Sequence, residues 1–157
     1  MKTATPSYVV QSVAGLARVP GHAEALAFLM RKRYSAPFVW GSHDCCLWAA
    51  DAIAAQVGVD PAAQLRGRYA TELQAWRVIR SYGTLEGIAR AALGQQLNHP
   101  MHACDGDVGL VEGATVHQSW PHALAVCVGG WWVLPSAQGL TLRPMQAASM
   151  AWRVGCA

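Results

Sequence analysis

The chain has 157 residues, 53% hydrophobic and 13% charged, with twelve Lys and Arg against nine Asp and Glu and a formal charge of +3. That length suits one domain with a sizeable core, and the apolar content excludes disorder over the whole length. The charge is too mild, and its basic residues too scattered apart from Arg31-Lys32-Arg33 and Arg66/Arg68, for a nucleic-acid footprint.

Apolar runs are broken by charge, Gly or Pro before reaching the roughly 18–20 residues of a membrane span, so no span is expected. The first 20 residues carry one Lys and a short apolar stretch, without the solid apolar core of a secretory signal. They read as an N-terminal arm, extended or briefly helical, ahead of a single domain over 21–157. Pro20-Gly21 punctuates the junction.

His22 to Tyr34 has apolar residues at Ala25, Leu26, Leu29 and Met30, which is helical spacing with a basic end. Ser35-Ala36-Pro37 breaks it, and Phe38-Val39-Trp40-Gly41 enters a loop. Asp44 reads as an N-cap for CCLWAADAIAAQVG, which ends at Gly58 and is apolar nearly all round, as a central buried helix would be. Thr71 to Tyr82 reads as an amphipathic helix with Leu73, Trp76, Val78 and Ile79 facing inward, and Leu85 to Leu93 as a shorter one. From about Cys104 the period changes to two. Strands are expected over 107–111, 123–128, 131–134 and 139–142, with a last edge strand around 150–154. Helices first and a strand meander afterwards is an α+β layout.

The five cysteines, Cys45, Cys46, Cys104, Cys127 and Cys156, are odd in number and contain no C-x-x-C pair. Adjacent Cys45 and Cys46 are a poor start for a disulfide framework, so free, mostly buried thiols in a reducing compartment are expected. Cys45 stands at the first turn of the central helix, just after its N-cap, where the helix dipole favours a thiolate. Such a Cys serves as a nucleophile when an imidazole is in reach, and otherwise fills space where a helix enters a core. His43, Cys45, Cys46, Cys104 and Cys127 offer enough nitrogen and sulfur for zinc or an iron–sulfur cluster, but neighbouring Cys45 and Cys46 leave a helix start in different directions. No metal or cofactor is therefore expected. Trp131 and Trp132 cannot both face one core, so one should be exposed or covered by the arm or by another protein.

Taken together, Pro37-Phe38, Trp40-Gly41, His43-Asp44-Cys45-Cys46, Ala50-Asp51, Gly58, Asp60-Pro61 and Arg66-Gly67-Arg68-Tyr69 form a recognisable order. Gly106-Asp107-Val108, Ala123-Leu124-Ala125-Val126-Cys127-Val128-Gly129, Gly139-Leu140 and Ala151-Trp152-Arg153-Val154 continue it. From about Leu26 to Val154 the chain resembles phage tail proteins related to the NlpC-type cell-wall peptidases, within the papain-like cysteine peptidase superfamily. The resemblance implies a papain-like α+β fold, its central helix packed on a C-terminal antiparallel sheet. It implies Cys45 as the nucleophile position, with Cys46 in the place of the family's Ser, and Gly106-Asp107 ahead of the first core strand.

The family's catalytic His opens the next strand, at the position of Ala123, and here the His stands one residue earlier, at His122. Strand side chains alternate, so His122 belongs with Leu124, Val126 and Val128 unless a bulge beside Pro121 swings it back. The group that orients the imidazole would lie on the strand of Trp131–Leu134, which offers nothing polar; Ser136 and Gln138 are the distant substitutes. The catalytic pair implied is thus Cys45 and His122, in an incomplete triad. The expected function is a structural component of a phage tail tip or baseplate, located in the virion. Its expected partners are other tail proteins such as the tail hub and distal tail protein, with host peptidoglycan as a further ligand. The alternative is an active cysteine peptidase or amidase that cleaves peptidoglycan peptides during genome delivery.

Overall fold

A computed structural model describes residues 9–112 and 120–156. Four helices precede five strands: α1 (His22–Arg33), α2 (Cys45–Val57), α3 (Glu72–Ser81), α4 (Leu85–Leu93), β1 (Val108–Glu112), β2 (His122–Val128), β3 (Trp131–Ser136), β4 (Gly139–Pro144) and β5 (Ala148–Trp152). All neighbouring strands are antiparallel, in the order β4-β3-β2-β1-β5. The fold is α+β, with helices and strands segregated along the chain as the period change required. Among the described residues no helix is long and apolar enough to cross a membrane.

The caps explain where the helices begin. Asp44, Thr71 and Thr84 each accept a hydrogen bond from a backbone N–H in the first turn of α2, α3 and α4. Gly58, with φ 76°, ends α2 in the left-handed conformation that a Cβ disfavours. α2 is buried on three sides. Ala49, Ile53 and Val57 pack with Val108, Leu110 and Leu124 of the sheet. Trp48 and Ala52 meet Leu26, Val126 and Val133, and the Trp48 indole donates to the Val133 carbonyl at 2.9 Å. Leu47 and Ala50 join Leu65, Tyr69, Ala75 and Val78.

Irregular segments and short turns close the other sheet face. There Ala123, Ala125, Cys127, Trp132 and Leu134 pack with Leu97, Ala103, Met145 and Ala147. Gly109 makes room for the Trp132 ring, since a Cβ at that position would lie 2.6 Å from it. Trp132 is fully buried, whereas Trp131 is 47% exposed. The described part of the N-terminal arm does not cover Trp131. It runs as a strap elsewhere: Gln11 N–H bonds the Pro61 carbonyl, Val13 N–H the Ala92 carbonyl and Val19 N–H the Gln56 carbonyl, with Val13 in the core. Residues 1–8 of the arm lie outside the described residues.

One expectation is overturned. Leu73 and Trp76 do not face inward but are 58% and 46% exposed. α3 docks through Ala75 and Val78, and a helix this narrow in contact with the core leaves its i, i+3 pair Leu73/Trp76 on another side.

Candidate thiol site and adjoining groove

The start of α2 is held by one buried carboxylate. Asp44 Oδ1 accepts from Leu47 N–H at 3.0 Å, and Oδ2 accepts from Gly41 N–H at 2.9 Å and from the Tyr69 hydroxyl at 2.6 Å. Gly41 is required there, because φ is 77° and a Cβ would sit 2.0 Å from the Tyr69 carbonyl oxygen. Burial first, and then the Asp44 charge, push the Tyr69 phenol far up, so it remains a donor.

Cys45 begins the helix and is 8% exposed. It belongs to the packed cluster that holds Val111, Ala123, Ala125 and Cys127. Cys46 lies against it. The Cys46 thiol is pushed well up by its interaction with Cys45, then by burial, then by the nearby Asp44 charge. Beside both thiols lies a cavity of about 20 Å³, with Trp40, Tyr69 and Trp120 in its wall. That volume holds about one water molecule.

His122 is placed elsewhere. It is the first residue of β2 and pairs with Glu112 in an unbroken β1–β2 register that also aligns Val111 with Ala123 and Leu110 with Leu124. With no bulge between β1 and β2, His122 lies on the Leu124 face and Ala123 on the opposite one. The imidazole Nε2 is 3.8 Å from Glu112 Oε1. It opens on a groove of about 740 Å³, bordered by Leu73, Trp76, Ile79, Leu85, Leu110 and Trp120. The groove and the thiol cavity share Ile79 and Trp120 as a dividing wall. Among the described residues no hydrogen bond joins an imidazole to either Cys45 or Cys46.

His43 is 3% exposed and lies edge-on to Trp48, with ring centroids 6.0 Å apart. Among the described residues neither of its ring nitrogens has a hydrogen-bond partner. Burial, and then the Arg33 charge, push its pKa down against the opposing pull of Asp51 and Asp44. Ser136 Oγ donates to the Gly139 carbonyl and accepts from Gln138 N–H, so these two residues close the β3–β4 turn rather than orient an imidazole. Among the described residues no group of three or more His, Cys, Asp or Glu is placed to hold a metal ion.

Sequence reasoning missed the groove. Its signal was the Leu73/Trp76 pair, read as core when α3 had already supplied Ala75 and Val78 for that purpose. The groove has the volume of a ligand pocket and an apolar wall with few polar groups.

Residues 17–154 match the family described as "Domain of unknown function (DUF6950)", and the chain belongs to that family. The comparison with curated proteins finds no match, and neither does the comparison with solved structures.

Proposed function

We propose that this DUF6950 protein is a structural component of a bacteriophage tail tip or baseplate, with a papain-like, NlpC-type fold whose peptidase site has lost its base. The tail assignment rests on the ordered motifs from Pro37 to Val154 that resemble NlpC-related tail proteins. The loss of activity rests on one observation: Ala123, at the position where the resemblance implies the catalytic imidazole, packs in the cluster that holds Cys45. Its neighbour His122 lies on the other face, beside Glu112.

A cysteine nucleophile needs a base within hydrogen-bond reach. Cys45 keeps the helix-start position that would supply oxyanion donors, but alanine has no proton to exchange. The Cys46 thiol, pushed well up by Cys45, by burial and by the Asp44 charge, is no base near neutral pH. The fold then serves as a building block among other tail proteins, such as a tail hub or distal tail protein, in the virion.

Cys45→Ser introduced into the phage tests this reading against the active peptidase. Under the structural reading the chain is found in purified tails by mass spectrometry, and the variant infects like the parent. Intact Cys45→Ser particles that adsorb but fail to deliver their genome would instead establish a working nucleophile. Absence of the chain from purified tails would remove the tail assignment.

A further inference from the structure

The loop over 39–43 closes on itself and on the start of α2. Val39 N–H bonds the His43 carbonyl at 3.1 Å, His43 N–H bonds the Val39 carbonyl at 2.8 Å, and Gly41 N–H bonds Asp44 Oδ2. The loop runs along the surface, with Val39 and Ser42 exposed. Two of its side chains turn inward. Trp40 packs on Phe38 and Trp120 and forms part of the wall of the cavity beside Cys45 and Cys46. His43 is buried edge-on to Trp48.

The surroundings of His43 suit a neutral ring and oppose a charged one. α1 brings up Arg33, and α2 brings up Asp51 beyond its cap residue Asp44. Asp51 is already engaged. Its Oδ1 accepts from Arg66 at 2.6 Å, its Oδ2 lies 3.7 Å from Arg33 Nη2, and Arg66 is held in turn by Asp60. Among the described residues both His43 nitrogens, Arg33 Nε and Asp51 Oδ2 are buried without a hydrogen-bond partner.

A proton on the ring would add a second buried N–H with no acceptor and place a cation near the Arg33 guanidinium. Burial and then Arg33 accordingly hold the pKa of the closed ring below its ordinary value, against the weaker pull of Asp51 and Asp44. In water the same imidazole takes up a proton near pH 6.5. Acid therefore favours a state that returns the ring to solvent.

We infer that His43 is an acid-sensitive latch on the thiol site: when its ring gains a proton from solvent, the loop over 39–43 turns out, Trp40 leaves the cavity wall, and Cys46 becomes accessible. The ring and Trp40 stand three residues apart in one short loop, so turning the ring out draws Trp40 with it. The Val39–His43 bridge is a pair of backbone hydrogen bonds at the surface, which a local opening breaks without unfolding α2 or the sheet. Asp44 keeps Leu47 N–H and the Tyr69 hydroxyl, so the helix start stays capped. The latch is a property of the fold and does not depend on the tail assignment.

The test is thiol labelling of the purified full chain between about pH 7 and about pH 5 with a dipyridyl disulfide, mapped by mass spectrometry. Cys46 is read as a ratio to the exposed Cys104 of the same sample, which carries the reagent's own pH dependence. Cys127, which is buried, and circular dichroism report global unfolding. A ring that titrates near 6.5 only when the loop is open drives opening by up to about tenfold per pH unit. The ratio is therefore expected to rise by roughly 5- to 25-fold across that range, with Cys127 unlabelled. His43→Leu cannot take up the proton and should keep the neutral-pH ratio throughout. Arg33→Met removes the charge that opposes the proton in the closed loop and should rise less than the wild type.

A ratio that stays flat in the wild type overturns the inference, as does a rise that persists in His43→Leu. So does a rise in which Cys127 is labelled as fast as Cys46, because the whole domain has then opened. If His43→Leu does not fold, Arg33→Met decides, and a rise as steep as that of the wild type overturns the latch.

Discussion

The Tyr69 hydroxyl donates a 2.6 Å hydrogen bond to Asp44 Oδ2, while Asp44 Oδ1 caps the helix that carries Cys45. A residue 25 positions downstream thus secures the cap of the central helix. Both side chains are buried, so neither water nor another side chain can substitute freely. Tyr69→Phe keeps the ring and removes the donor. It is expected to destabilise the protein by about 1.5–3 kcal/mol, the range for a hydrogen bond to a charged group. Asp44→Ala removes three acceptor contacts at once and should cost more. Chemical denaturation of the three proteins checks the order wild type, Tyr69→Phe, Asp44→Ala.

Thiol chemistry should follow burial and charge. Cys104 and Cys156 are exposed, whereas Cys127 is buried and its thiol is pushed up to about 11, by burial first and then by the Asp105 and Asp107 charges. The Cys46 thiol is pushed well up too. Alkylation of the folded protein near neutral pH, mapped by mass spectrometry, is expected to label Cys104 and Cys156 first. Cys127 and Cys46 should react only on unfolding. Rapid native labelling at Cys46 would show that the site opens.

His43 should make stability depend on pH. Its pKa in the fold lies below the ordinary value near 6.5, mainly because the ring is buried and Arg33 is close. In the unfolded chain the ring takes up a proton as pH falls through about 6.5, but in the folded chain it does so only at lower pH. Protons therefore favour the unfolded state in that window, and stability declines with acid at up to about 1.4 kcal/mol per pH unit. The decline starts near the unfolded value and levels off below the folded one. His43→Leu should flatten this part of the stability–pH curve, as measured by denaturant midpoints between about pH 7 and pH 5.

Asp107 ties both ends of the domain together. It is fully buried, accepts from Arg153 Nε at 2.9 Å and from the backbone N–H groups of Cys104 and Val154, and lies 3.5 Å from Arg18 Nη2. Asp107→Ala leaves two arginines facing an empty acceptor. The expected loss is about 1.5–3 kcal/mol, the range for hydrogen bonds to a charged group, because both arginines reach solvent and are not left as buried charges. Limited proteolysis should then cut first in the strap around Arg18 and in the segment after Trp152.

Much of the molecule was legible from local signals. Asp44 before a uniformly apolar run, Gly58 after it, and the change from helical to alternating period after Cys104 define α2 and the sheet, because caps and periodicity act within a few residues. The α+β layout follows from those elements in order. The position of Cys45 at the start of α2 was legible for the same reason.

The side to which a residue turns was not. Leu73 and Trp76 have the spacing of core residues, yet only docking decides which of two apolar stripes on α3 is covered, and Ala75 with Val78 took that place. His122 is one residue from the position that would face the Cys45 cluster. Whether it reaches the thiol depends on an unbroken β1–β2 register, a relation between strands that neither strand encodes alone. The groove is likewise made by α3, α4, β1 and the start of β2 together. Sequence by itself determined the elements and the helix start that carries the thiol. Tertiary structure decided that an alanine, not an imidazole, shares that thiol's cluster, because side-chain facing is set by packing between distant segments.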